Sequence, residues 1–286
     1  MVINVDFFRQ KIILSYHEVS MVETHHILLS VKGHPYERQA FYDIFDNMDN
    51  LDWTLVEQPA SQALFNVKQA EVYDALVLYD MPGIFFHENA YPDIISPSEA
   101  YQRDFQQLVD AGHGFVFLHH AIAGWQDWEA YSEIIGGRFF YLPRELRGEM
   151  CQDSGYRHGV KHQVEVLADH PVTAGLPQHF EITDELYLYE VFEDDVTPLL
   201  RSDFSFTADN FFSASAAVRD GRLNDNSGWQ HKPGSSLVGW AKEIGNSRIV
   251  YLQFGDGPSA YVNQFYQRLI SNSIKWVSLK NRSFEV

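Results

Sequence analysis

The sequence predicts an α/β fold built on a mostly parallel central sheet, and three observations lead there. Residues 73–79 and 114–118 are short apolar runs with little polar alternation, the pattern of strands buried on both faces. Between such runs, Ala40, Phe41, Ile44, Phe45 and Met48, and later Tyr101, Phe105, Leu108 and Val109, recur at helical spacing. Glycine or proline stands where one pattern gives way to the other, as at Gly33, Gly112 and Gly136. At 286 residues the chain can bury a sizeable core, and one domain over 25–280 is the default, preceded by an extension over 1–24.

Taken in order, residues 1–24 show no clear period. Residues 11–16 read as an edge strand and the rest as an extension or an oligomer contact. Ile27, Leu28, Leu29 and Val31 form a first strand, Gly33 breaks it, and Pro35 suits the start of the helix carrying Phe41 and Phe45. Residues 51–57 and 73–79 are the second and third strands. The loop over 80–95, with Phe85, Phe86, His87 and Tyr91, reads either as a binding loop or as an insertion packed on itself. Ser96, Pro97 and Glu99 predict a capping box for the helix that ends at Gly112. The central strand follows, then a turn at 121–124 and a helix carrying Trp125, Trp128, Tyr131, Ile134 and Ile135. Residues 138–141 suggest a short strand, 143–158 a polar excursion and 162–167 a half-exposed strand. In the next strand Glu185, Tyr187 and Tyr189 share one face by the period of two, with Leu186 and Leu188 on the other. Strands at 197–201 and 235–242 flank a mobile, polar, loop-like segment over 203–233. A buried strand over 247–254 leads through a sharp turn, Gly255-Asp256-Gly257-Pro258, to a closing amphipathic helix.

The formal charge of −18, with no Lys/Arg-rich run to offset it, argues against nucleic acid and anionic membranes as partners. The lone Cys151 excludes an internal disulfide and a multi-cysteine metal site, and its polar surroundings make it a loop thiol rather than a nucleophile. No apolar segment reaches the roughly 18–20 residues needed to span a bilayer, and no signal peptide is evident, which favours a cytoplasmic protein.

Ligands of open parallel sheets bind beyond the carboxyl ends of the strands. That rule singles out His119 and His120 after the central strand, His34 after the first, and Asp256 after the last. Each also has a structural alternative: a turn hydrogen bond for the histidines, a helix cap for Asp256. Trp125 stands between core packing and a stacking surface for a sugar ring. Glu185 beside Tyr187 can grip hydroxyls or lie on a solvent-facing strand, and His231 closes the polar segment. Phosphate-loop, dinucleotide, His-Glu-x-x-His and Gly-x-Ser-x-Gly signatures are absent, so no organic cofactor is evident. Imidazoles and carboxylates suit acid–base work near neutral pH, and equally a divalent ion such as zinc with mixed ligands.

Several short motifs occur in a telling order. Gly33-His34-Pro35 is followed by the run over 111–120 ending in His119-His120, by Gly136-Gly137-Arg138-Phe139, and by the 169–176 stretch Asp-His-Pro-Val-Thr-Ala-Gly-Leu. Thr183-Asp184-Glu185-Leu186-Tyr187, the 248–255 run and Lys275-Trp276 complete the series. The set resembles the ThuA-like, or trehalose-utilisation, family over residues 26–277. The resemblance implies a flavodoxin-like three-layer sandwich of the class I glutamine amidotransferase type and a role in carbohydrate utilisation. Amidotransferases present a nucleophilic cysteine at the turn where this chain has His119, so glutamine hydrolysis is expected to be absent. Many relatives carry Gly-His where this chain has Gly255-Asp256, whereas His34, His119 and Glu185 match.

The function expected is an enzyme acting on a small carbohydrate, with His119 as general acid/base and Glu185 as its carboxylate partner. His34, His120, Trp125, Tyr187, Asp256 and His231 are the expected substrate contacts. A non-catalytic sugar-binding or regulatory module and a metal-dependent hydrolase are the rival readings.

Overall fold

The computed structural model describes residues 24–88 and 90–278, so all but the last residue of the expected N-terminal extension lies outside the described part. Nine strands build the main sheet: β1 (His25–Lys32), β2 (Leu51–Glu57), β3 (Ala75–Asp80), β4 (Gly114–Leu118), β5 (Gly155–Val166), β6 (His179–Leu188), β7 (Thr197–Ser202), β8 (Leu237–Ile244) and β9 (Ser247–Leu252). Their order is β6-β5-β7-β8-β9-β4-β3-β1-β2, and a two-residue strand, Phe212–Ser213, pairs with β5. From β9 to β2 every pairing is parallel. From β9 to β6 every pairing is antiparallel. The parallel sheet expected from the apolar runs is therefore one half of a larger mixed sheet.

Alternation along the strands creates two cores. Ile27, Leu29, Val77, Val116 and Leu118 pack with α1 (Arg38–Asp46) and α4 (Gln264–Ser278), through Phe41, Phe45, Leu269 and Ile274. Leu28, Leu76, Leu78, Phe115 and Phe117 pack instead with α2 (Glu99–Ala111) and α3 (Glu129–Ile135), through Phe105, Leu108, Tyr131 and Ile134. Helices thus cover both faces, giving three layers of the flavodoxin-like, amidotransferase-like kind. Gly114 lets α4 approach β4: a Cβ there would lie 2.6 Å from the Val277 carbonyl oxygen.

Five local expectations change. The cap of α2 is Ser98, not Ser96: Ser98 is extended, its Oγ accepts the Tyr101 N–H at 3.2 Å, and Glu99 opens the helix. Trp125 precedes α3 in a left-handed turn with φ of 48° rather than lying on the helix. The polar excursion contains a small hairpin, Arg144–Leu146 with Glu149–Cys151, and the first residues of β5. Cys151 is accordingly a buried strand residue, and burial pushes its thiol pKa up, which keeps it protonated. The loop-like 203–233 segment includes Phe212–Ser213 and a helix, Ala214–Asp220. Buried Asp153 ties this segment down by accepting from Ser213 Oγ (2.6 Å), the Ser215 N–H (2.9 Å) and Trp229 Nε1 (3.1 Å). Among the described residues no helix is long and apolar enough to cross a membrane.

Candidate functional site

The site lies where the two halves of the sheet meet. β4 ends at Leu118, and His119 begins a 3-10 turn, His119–Ala123, with φ of 47°. A left-handed backbone is uncommon for a residue with a Cβ, and such strain gathers at functional sites. The His119 side chain is fully buried. Its Nδ1 lies 2.5 Å from the Gln253 carbonyl oxygen, so Nδ1 carries a proton there and Nε2 is turned to the site. Around Nε2 stand the Tyr187 hydroxyl at 2.8 Å, Glu185 Oε2 at 3.1 Å and, at ion-pair distance, Asp256 Oδ1 at 3.7 Å. Burial works against a charged imidazole here, but Asp256 and Glu185 outweigh it and hold the His119 pKa well above the usual histidine value.

β6 supplies Glu185 and Tyr187 on one face, as the period of two requires, and both are buried. Asp184, on the other face, accepts the Gly255 N–H at 2.7 Å and the Asp256 N–H at 3.1 Å, fixing the turn that carries Asp256. Burial pushes the Asp184 carboxyl up to about 7. Gly255 is required in that turn: its φ is 120°, and a Cβ would stand 2.4 Å from the Tyr266 hydroxyl.

One site residue was not singled out from sequence. In the β5–β6 ladder Arg157 pairs with Leu186 and Val160 with Asp184, so His158 and Gly159 together oppose Glu185 alone. This is a β-bulge, a device that re-aims side chains beside active sites, and Gly159 supplies its left-handed residue with φ of 65°. His158 Nδ1 lies 3.2 Å from Glu185 Oε1 and 3.5 Å from Asp256 Oδ2, while about half of its side chain reaches solvent. The hydrogen bond that His158 donates to Asp256 raises the His158 pKa against the opposing effect of burial, and the charge of Glu185 adds to the rise. The same two histidines depress the pKa of Asp256 despite its burial.

A cavity of about 370 Å³ opens above this cluster. His34, His158, Glu185 and Tyr187 line it, and among its described lining residues there is no Lys or Arg. His120 lies behind His34, with ring centroids 4.8 Å apart, and its Nε2 is 3.1 Å from the Tyr79 carbonyl. Burial, and secondarily the neighbouring His34 and His119, push the His120 pKa well below the usual value. Trp125 is buried elsewhere and walls a second, apolar cavity with Gly83 and Pro82. His231 lies in an exposed loop beside Trp229, with Nδ1 at 2.7 Å from the Lys232 carbonyl. The structure thus gathers His34, His119, Glu185, Tyr187 and Asp256, sets His120 one layer behind, and leaves Trp125 and His231 apart.

The donor atoms also suit a metal ion. One atom each from His119, Glu185 and Asp256 lie within 4.8 Å of one another. The 3.1 and 3.7 Å separations from Nε2 bracket the about 3.4 Å expected between ligands placed tetrahedrally around an ion about 2.1 Å away. The Gln253 carbonyl on Nδ1 is the kind of outer contact that orients ligating histidines.

Fold and site together define a three-layer α/β protein in which a histidine occupies the turn after the central strand. The sequence model of the ThuA family, described as trehalose utilisation, matches residues 31–277, and the chain belongs to that family. Among solved structures it is similar to a ThuA-like protein from Parabacteroides merdae, with TM-score 0.62, 17% identity and coverage of 92% of this chain and 93% of that one. A ThuA-like protein from Bacteroides uniformis is similar with TM-score 0.58, 18% identity and coverage of 90% and 93%. A protein from Salmonella typhimurium described as cytoplasmic shares the fold at TM-score 0.52, 10% identity and coverage of 88% and 98%. No curated protein matches the chain.

Proposed function

We propose that the chain is an enzyme acting on a sugar or sugar derivative, with Glu185 and His158 as the reacting pair and His119 as the group that positions Glu185. The observation that carries this reading is the bridging of Glu185: one oxygen meets the sealed His119, the other meets His158 at the cavity floor. His158 Nδ1 faces two carboxylates and so carries a proton, which leaves Nε2 to exchange one with a substrate oxygen. Its raised pKa favours the protonated form near neutral pH, the form needed to donate to a departing or carbonyl oxygen, with Glu185 accepting from a hydroxyl. Tyr156, Tyr187 and Phe139 in the lining offer apolar surface to the C–H face of a sugar. The lack of Lys or Arg among the described lining residues favours an uncharged sugar over a phosphorylated one. The family's link to trehalose utilisation supports the same substrate class. The test is to incubate the purified protein with a panel of mono- and disaccharides and follow it by NMR. Conversion lost in Glu185→Gln supports the reading. Conversion equal in both proteins overturns the assignment of Glu185, and binding without any conversion points to the non-catalytic module.

A second reading rests on the His119 Nε2–Glu185–Asp256 triangle with His158 at its edge. The three side chains of the triangle would hold a divalent ion such as zinc, which when bound would supply Lewis acidity beside the cavity. The protein's own part is to fix the His119 tautomer through Gln253 and the Asp256 turn through Asp184. Titration calorimetry with Zn²⁺ discriminates: one equivalent bound by wild type and none by Asp256→Asn supports an ion site, and no binding by wild type rejects it.

A further inference from the structure

The cavity above Glu185 is two-sided along its depth. One wall is a ladder of rings running outward from the buried histidine: His119 stacks on Tyr187 (4.8 Å), Tyr187 meets Phe139 (4.7 Å), Phe139 meets Tyr141 (5.2 Å) and Tyr141 meets Phe86 (5.1 Å). The ladder starts fully buried and ends at Phe86, which is 44% exposed. Facing it, Ala214, Ala217 and Val218 sit at i, i+3 and i+4 of the helix Ala214–Asp220 and so present one aliphatic face. Beyond them Leu223, 72% exposed, stands at the rim.

The tyrosine hydroxyls of these walls each have a protein partner, although that of Tyr156 keeps its own proton to donate. Tyr187 bonds His119, Tyr141 donates to Met81 Sδ at 3.4 Å, and Tyr156 accepts the Asn224 N–H at 3.0 Å. Among the described lining residues the working polar groups are buried Glu185 with His34 and half-exposed His158 beside it, while exposed Asn224 sits at the solvated rim beside Leu223. A second sugar ring in the outer half would lay its hydroxyls against ring faces and methyl groups, where desolvated hydroxyls without partners are costly. An apolar group there would gain burial from both walls and would cover Phe86 and Leu223.

We infer that the substrate is a glycoside in which the sugar sits on Glu185 and His158 and an apolar aglycone, aryl or alkyl, fills the outer cavity between the Phe86–Tyr141 rings and the Val218–Leu223 wall. This rests on the sugar-enzyme reading and adds the chemistry of the second half of the ligand. The helix Ala214–Asp220, held to the segment before β5 through Asp153, is then a specificity wall.

The experiment measures the affinity of the full-length protein for methyl, hexyl and phenyl glycosides of glucose and galactose in both anomers, alongside trehalose and maltose. The expected result is that, for the sugar and anomer that bind, hexyl or phenyl glycosides bind at least about tenfold more tightly than the methyl glycoside, an effect of about 1.4 kcal/mol. Leu223→Asp and Val218→Asp should shrink that ratio to within about twofold, and because Leu223 is exposed its variant should keep the wild-type melting midpoint. Equal affinity across aglycones, or tighter binding of the disaccharides, overturns the inference while leaving the sugar reading intact. No binding by any member of the panel overturns both.

Discussion

The two halves of the sheet divide the work. In the parallel half, β9, β4 and β3 are buried between helices, and β4 delivers His119 already locked, with Nδ1 on a carbonyl and no exposed surface. The antiparallel half, β8 to β6, delivers Glu185 and, through a bulge, a His158 that reaches solvent, and the helix following Phe212–Ser213 walls the cavity. On the proposed reading, the strand-end histidine is the support and the reacting groups come from the other half. Substitutions in the parallel half should therefore register mainly as stability, and those at Glu185 and His158 mainly as turnover.

The largest stability effect is expected at His119. His119→Ala leaves the carboxylates of Glu185 and Asp256 facing each other with only the half-exposed His158 as a cation, a loss on the order of 3–5 kcal/mol. Urea unfolding measures it, and a loss below about 1 kcal/mol would mean that His119 does not compensate those charges.

Acid should expose a weakness in the antiparallel half. His162 in β5 is buried beside Ser202 Oγ (2.8 Å), and burial lowers its pKa to about 4 from 6.5. Between those values the unfolded chain binds a proton that the folded chain refuses. His162 therefore costs nothing above pH about 6.5, and stability falls as pH drops toward 4, by at most about 3 kcal/mol. Comparing wild type with His162→Gln in urea at pH 7 and pH 4.5 checks this: the wild type should lose more stability than the variant over that interval, and equal losses would remove His162 as the cause.

The legibility of the two halves differs for a physical reason. Strands buried on both faces are written as apolar runs, so β3 and β4 stand out, and the position of His119 follows from where the second run stops. The Glu185/Tyr187 face was likewise readable from the period of two. His158 was hidden because a bulge breaks that period: the residues before Val160 read as a polar excursion, although Gly159 inside an otherwise alternating stretch was the available signal. The cap of α2 was misplaced by two residues because Ser96 and Ser98 both precede glutamate within reach, and only the backbone distinguishes them. Trp125 and His231 carried the right chemistry, but their turns face other surfaces.

The smallest effect tests the supporting half away from the site. Ser98→Ala removes the α2 cap and should cost about 1 kcal/mol while leaving sugar turnover unchanged. A matching loss of turnover at temperatures where the variant is folded would break the division between the halves.

The most direct test is a double-variant cycle on kcat/KM for whichever saccharide the protein converts, using Glu185→Gln, His158→Gln and the pair. If Glu185 and His158 act as one unit, each single variant loses at least about 10²-fold and the double variant loses little more. Losses that multiply, or turnover that survives either substitution, would contradict the account.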